Sequence, residues 1–135
     1  MQGHQSYVNC VSFSCDGKHL ATASDDFTAR LWSRSGECLV IFEGHTGEVW
    51  IAAFSPDGLM LATTSTDTTA RLWSLDGNCL AALSEHTKTV TAAAFSLDGS
   101  FLVTGSQDST ARIWMLGLKF MEAALQSDLP VSSNG

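Results

Sequence analysis

The chain has 135 residues, 44% of them hydrophobic, with 14 acidic against 7 basic side chains and a net charge of −7. That balance disfavours the phosphate-contact route to nucleic acid and to anionic membrane surfaces. No apolar run approaches the roughly 20 residues of a spanning helix, and the first residues lack a basic and an apolar leader stretch, so a soluble intracellular protein, cytoplasmic or nuclear, is expected.

Read in chain order, one pattern comes three times. The first unit, 3–43, opens on Gly3-His4 and is followed without insertion by 44–84 and then 85–125. The first two units share 21 of 41 positions. All three carry H-x3-V-x4-F-S-x-D-G-x2-L-x-T-x-S-x-D-x-T-A-R-x-W. A fixed period of this length signals a repeat architecture and outweighs any window-by-window reading. In the middle unit, Val49–Phe54 is a short apolar run with no helical stripe. Ser55-Pro56-Asp57-Gly58 follows, where proline presets the first turn corner and glycine accepts the left-handed one, with a bulge expected at Gly58. Leu59–Ser65 reads as a second strand, Thr66–Thr69 as a polar turn, Ala70–Ser74 as a third strand and Cys79–Leu83 as a fourth. Such strands are apolar on both faces, so each sheet expects a neighbour on either side. In the third unit the framework fails after Trp114. Residues 118–125 are left open between a fourth strand and a short helix, and 126–135 are expected to be a disordered tail.

These residues resemble three tandem WD repeats, the unit of WD-repeat β-propellers. The marks are the Gly-His pair, the Asp-Gly hairpin, the turn aspartate and a tryptophan six residues after it. The aspartate that often follows the tryptophan is replaced by Ser33, Ser74 and Met115. The resemblance implies an all-β fold of three four-stranded antiparallel blades over 3–125, an open arc unless other chains or repeats complete it.

Hydroxyl, imidazole and carboxylate recur in each unit, as Thr22, His4 and Asp26, as Thr63, His45 and Asp67, and as Thr104, His86 and Asp108. A catalytic triad is normally one constellation in one cleft. Three identical copies point to construction, and no nucleotide-binding or other catalytic motif is present. By resemblance, these residues with Trp32, Trp73 and Trp114 form a buried hydrogen-bonded tetrad in each blade. Arg30, Arg71 and Arg112 recur together, either as a basic ring for phosphate or as solvent-face strand residues, the second being favoured. Cys10, Cys15, Cys38 and Cys79 form no C-x-x-C pair, and Cys38 and Cys79 share one repeat position, which predicts a common packing slot. No disulfide, metal site or cofactor is expected.

In WD-repeat proteins, partners often bind at sites flanking the framework valine and preceding the turn aspartate. By that resemblance the sites here are Tyr7, Asn9 and Asp25, then Glu48, Trp50 and Thr66, then Thr89, Thr91 and Gln107. Trp50 is either an interface anchor or a space-filler between blades. The expected function is a non-catalytic scaffold for other proteins or peptides. The alternative is a non-catalytic segment of a larger propeller-containing enzyme or regulatory protein. Propellers have four to eight blades, so three are expected to be part of a longer chain, to close a ring as a homo-oligomer, or to stand as an open arc.

Overall fold

A computed structural model describes residues 3–117. These residues are all-β. The strands are β1 (Val8–Phe13), β2 (His19–Ser24), β3 (Ala29–Ser33), β4 (Cys38–Phe42), β5 (Val49–Phe54), β6 (Met60–Ser65), β7 (Ala70–Ser74), β8 (Cys79–Leu83), β9 (Val90–Phe95), β10 (Phe101–Ser106) and β11 (Ala111–Met115). They form three antiparallel meanders, β1-β2-β3-β4, β5-β6-β7-β8 and β9-β10-β11, none closed on itself. The proposed fourth strand of the last blade and the tail at 126–135 lie outside the described residues.

Local chemistry sets each hairpin. In the middle blade Gly58 takes φ 74°, and its amide donates to the Ser55 carbonyl. The Asp57 carboxylate accepts from the Ser55 hydroxyl at 2.6 Å and from the Leu59 amide at 3.0 Å, pinning the turn from inside. Asp16 and Asp98 repeat the arrangement. The Ser100 hydroxyl and amide, with the Ser96 hydroxyl, hold the Asp98 carboxyl down at about 2.

The blades stack in chain order, the first strand of each later blade lying against the first two strands of the one before: β5 against β1 and β2, and β9 against β5 and β6. Between the first two blades, Ala21, Ala23, Ala29, Leu31 and Phe42 meet Val49, Ala52, Leu61 and Trp73 in one buried cluster. Between the next two, Met60, Ala62 and Leu72 meet Leu102 and Leu116, with Trp114 partly buried beside them. Small residues on one face against large ones on the other allow close approach of two sheets. Phe42 packs on Trp73 with ring centroids 5.5 Å apart, so the outer strand of one blade rests on the framework tryptophan of the next.

Phe27, Thr68 and Ser109, each just after the framework aspartate, adopt φ of 76°, 76° and 71°. Left-handed backbone costs an L-residue roughly 1–2 kcal/mol and is hardest on β-branched residues. Thr68→Gly is therefore expected to stabilise the chain by about 1 kcal/mol, offset in part by the entropy of the unfolded glycine. Urea unfolding beside Thr68→Ala checks this: equal midpoints for the two variants would show that the turn carries no such strain.

Candidate functional site

The framework polar residues meet inside each blade. The Trp73 indole N–H donates to Thr63 Oγ1 at 2.8 Å. The same hydroxyl lies 2.7 Å from His45 Nε2, and His45 Nδ1 lies 2.8 Å from Asp67 Oδ2. A carboxylate only accepts, so His45 donates through Nδ1. Nε2 is then an acceptor and takes the threonine proton. The first blade repeats the chain with Trp32–Thr22 at 2.8 Å, Thr22–His4 at 2.6 Å and His4–Asp26 at 2.8 Å. The third has Trp114–Thr104 at 2.9 Å, Thr104–His86 at 2.8 Å and His86–Asp108 at 2.9 Å. Thr63 and Thr104 are fully buried and Thr22 nearly so.

The network extends beyond these twelve side chains. Asp67 Oδ1 accepts from the Thr69 hydroxyl at 2.6 Å and the Thr69 amide at 2.9 Å, and Oδ2 also accepts from the Thr46 amide at 3.1 Å. Ser65 Oγ accepts from the Asp67 amide. Thr28 and Thr110 play the part of Thr69 in the other blades. Reasoning from sequence missed this threonine, although the D-x-T in the repeated framework was the signal for it.

Burial is the largest influence on the Asp67 carboxyl and pushes it up, but the Thr69 and His45 hydrogen bonds together outweigh it and leave the group below the usual carboxylate range. Asp26 follows the same balance. Asp108 is lowered chiefly by the Thr110 hydroxyl. Burial lowers His45, and its bond to Asp67 only partly restores it. The middle network is thus a neutral imidazole against a carboxylate, and in all three blades every member is engaged. With the indole on one side of the hydroxyl and the ring on the other, the Thr22, Thr63 and Thr104 hydroxyls are enclosed within their blades.

The nine residues expected from the sequence to meet a partner fall into three matching trios at one end of the sheets. The Asp25 amide donates to the Tyr7 carbonyl at 2.9 Å, Thr66 to Glu48 at 3.0 Å and Gln107 to Thr89 at 3.0 Å. Between them stand Asn9, Trp50 and Thr91, each at a break in the register of its strand pair: between Val8 and Cys10, between Val49 and Ile51, and opposite the Gly105/Ser106 step. An extra residue at such a bulge is unpaired and re-aims its side chain. Tyr7 is 80% and Trp50 40% exposed. Trp50 belongs to neither buried cluster among the described residues. Asn9 is engaged, donating to Asp25 Oδ1 at 2.7 Å and to the Val49 carbonyl of the next blade at 3.0 Å. Gly47 permits the close pairing of Glu48 with Thr66 in the middle blade, because a Cβ there would run into Thr66 Oγ1 and lie 2.9 Å from the Asp67 amide nitrogen.

Two expectations need correction. The arginines are not free solvent-face residues. Arg30 and Arg71 lie half-buried, their guanidinium carbons 6.0 and 5.9 Å from the Trp32 and Trp73 ring centroids, and the Nε of all three arginines is buried without a hydrogen-bond partner. The indole face attracts the cation, and the side chain stays partly covered with its Nη1 toward the exposed cysteine. Cys38 and Cys79 do share one environment, but an exposed one, beside the Nη1 of Arg30 and Arg71 at 3.9 and 3.7 Å. Outer strands β4 and β8 present that position to water. Among the described residues no three His, Cys, Asp or Glu side chains are grouped to hold a metal ion, and no helix is long and apolar enough to cross a membrane.

The sequence model of the "WD domain, G-beta repeat" matches residues 1–33, 36–74 and 77–115. The second and third matches each begin before the outer strand of one blade and end on the third strand of the next, so each repeat joins two sheets. The chain is 56% identical over 36 residues to nucleoporin Nup37 of Drosophila melanogaster, covering 27% of this chain and 11% of the relative. It is 63% identical over 30 residues to the Notchless protein homolog of Arabidopsis thaliana, covering 22% and 6%. It is 46% identical over 33 residues to transducin beta-like protein 2 of Mus musculus, covering 24% and 8%. The chain therefore spans only a small part of the length of these curated relatives, and each match is about one repeat long.

Asp67→Ala is expected to destabilise the fold by roughly 2–4 kcal/mol, because His45 and two amides lose their acceptor. An unchanged melting temperature would contradict this. His45 and Asp67 both have folded pKa values below their unfolded ones. Their contribution is therefore complete above about pH 6.5. It falls as the unfolded histidine takes up a proton that the folded one refuses, and falls again below about pH 4 as the unfolded aspartate does. Thermal melts from pH 7.5 to 3.5 should show a steadily falling midpoint, and a midpoint that rises between pH 7 and 5.5 would refute the sign.

Proposed function

The chain belongs to the WD-repeat family, and on that premise we propose that it is a non-catalytic protein-interaction module whose binding surface is the end of the blades carrying the three trios. The observation that carries the reading is the contrast within one repeat. The tetrad and turn are the same in every blade, whereas the trios they position are Tyr7, Asn9 and Asp25 in one, Glu48, Trp50 and Thr66 in the next and Thr89, Thr91 and Gln107 in the third. Side chains that must differ to give specificity stand on backbone that is held constant.

Two aromatic side chains, Tyr7 and Trp50, stand exposed on the edge of the sheets that also carries Asp25 and Glu48. That composition suits an extended basic or amide-rich peptide, with Trp50 as the anchor, since large aromatics dominate interface energetics. The net charge of −7 favours encounter with such a partner over one bearing phosphates. No cofactor enters this reading. An intracellular setting, cytoplasmic or nuclear, accords with the thiols of Cys10, Cys15, Cys38 and Cys79 standing free of disulfides.

The test uses peptides selected from a displayed random library on the 135-residue chain. Lysine, arginine, asparagine or glutamine should be enriched. Trp50→Ala should weaken the selected peptides by tenfold or more, about 1.4 kcal/mol, while the unfolding midpoint stays in place. Loss of stability with binding unchanged would assign Trp50 to packing and remove the basis of the proposal.

A further inference from the structure

The seam between the first and second blades has both of its walls among the described residues. At the end that carries the trios, Asn9 crosses it. Its Nδ2 donates to Asp25 Oδ1 in its own blade at 2.7 Å and to the Val49 carbonyl of the next at 3.0 Å. A primary amide nitrogen carries two N–H groups, so both are spent. Both partners only accept, and the flipped amide would set three oxygens together, so the network fixes the orientation. Asn9 Oδ1 makes no hydrogen bond to a described residue. The matching positions build no such bridge. Trp50 and Thr66 hold them in the second blade, Thr91 and Gln107 in the third, and no side-chain hydrogen bond joins either pair among the described residues.

The Val49 carbonyl belongs to the peptide bond that leads into Trp50, so Asn9 anchors the root of that tryptophan. Trp50 stands at its bulge, 40% exposed. Asp25 keeps Oδ2 without a hydrogen bond among the described residues, and so does the whole carboxylate of Glu48, two positions before Trp50. The stretches that form this edge, 6–9, 24–26, 47–50 and 65–67, contain no lysine or arginine. Asn9, Asp25 and Glu48 therefore show a partner acceptors alone. An amide side chain placed against them would turn its own carbonyl toward oxygens, and an unsatisfied polar group is costly. A donor-only cation has no such group. Of the two cationic side chains, the guanidinium is flat and holds five N–H donors in a fixed fork. It stacks on an indole face while its edge still donates, which the compact ammonium cannot reproduce.

We propose that the seam of the first two blades is an arginine site, the partner's guanidinium lying on the Trp50 ring and donating to Asn9 Oδ1 and to the carboxylates of Asp25 and Glu48. Asn9 determines the specificity, because the bridge turns an amide that serves either polarity into a pure acceptor. This rests on the reading of that edge as the binding surface, and narrows its basic or amide-rich partner to one side chain.

The test is chemical-shift mapping on the isotope-labelled 135-residue chain with four pentapeptides, acetyl-Ala-Ala-X-Ala-Ala-amide, where X is arginine, lysine, glutamine or norleucine. The arginine peptide is expected to move the Trp50 indole N–H and the amides of Asn9, Asp25 and Trp50. It should bind about tenfold tighter than the glutamine and norleucine peptides and about threefold tighter than the lysine peptide. Asp25→Asn keeps an acceptor for Asn9 but removes the charge and adds a donor. It should weaken the arginine peptide by about tenfold and narrow its lead over glutamine. Asn9→Ala should narrow the same lead, and Trp50→Ala should weaken the arginine peptide, each with the unfolding midpoint in place.

Equal affinity for arginine and lysine, or for arginine and glutamine, overturns the inference and leaves the broader reading of the edge standing. Shifts spread over the surface and indifferent to Asp25→Asn mean attraction to the net negative charge alone, and overturn it equally. So does silence from all four pentapeptides where peptides selected from the random library still bind at the trios. If the selected peptides also fail there, the surface itself is wrong and both readings fall.

Discussion

A threonine hydroxyl with two partners, an indole N–H and an imidazole nitrogen, holds the middle of every blade together. Thr63 accepts from Trp73 on the third strand and donates to His45 in the loop ahead of the first. That single atom therefore ties β7 to a segment 18 residues upstream of the threonine. Its burial is what gives the contact weight. A hydroxyl out of water with no partner costs about 1–3 kcal/mol, so the arrangement is enforced from both sides. The histidine in turn needs an acceptor at Nδ1, and the turn aspartate supplies it at 2.8 Å. The aspartate then has capacity left for three more donors, which it spends on fixing its own turn and the loop that carries the histidine.

The consequences run outward from that carboxylate. Because the turn is fixed, the amide just before it points to the residue ahead of the first strand, and that pairing sets Tyr7, Glu48 and Thr89 in equivalent places. One residue is then left over in the strand, and the bulge turns Asn9, Trp50 and Thr91 aside from the ladder. A constant buried network thus ends in a variable exposed edge. The strained left-handed residue after each aspartate belongs to the same device, held over by the hydrogen bonds around it.

The blades also depend on one another in a way that no single blade does. Small side chains on the face that one blade turns to the next are sealed only by the large ones on the face turned back to it, and Phe42 finds its place only on Trp73 of the following blade. In a stack of this kind stability is close to a sum over units and joints. The middle blade, with a neighbour on each side, contributes most of the fully buried side chains, among them Trp73, Met60, Leu61, Leu72 and Thr63.

The period of 41 residues, the hairpin signals and the spacing of histidine, aspartate and tryptophan by themselves determined the all-β class, the order of the strands and the identity of the framework residues. These are local or repeated features, and repetition lets one unit vouch for another. The D-x-T threonine was equally legible but was passed over as turn composition. The sequence misplaced the arginines, because charge and alternation put them toward water. Only the tertiary structure brings the Trp32 and Trp73 ring faces near Arg30 and Arg71, 6.0 and 5.9 Å from their guanidinium carbons. The structure alone also decided which apolar residues are covered. Leu31, Leu72 and Ile113 are interchangeable as sequence, yet two are sealed and the third is open. Burial is a property of the neighbouring sheet, and a strand's own residues carry no record of whether that neighbour is present.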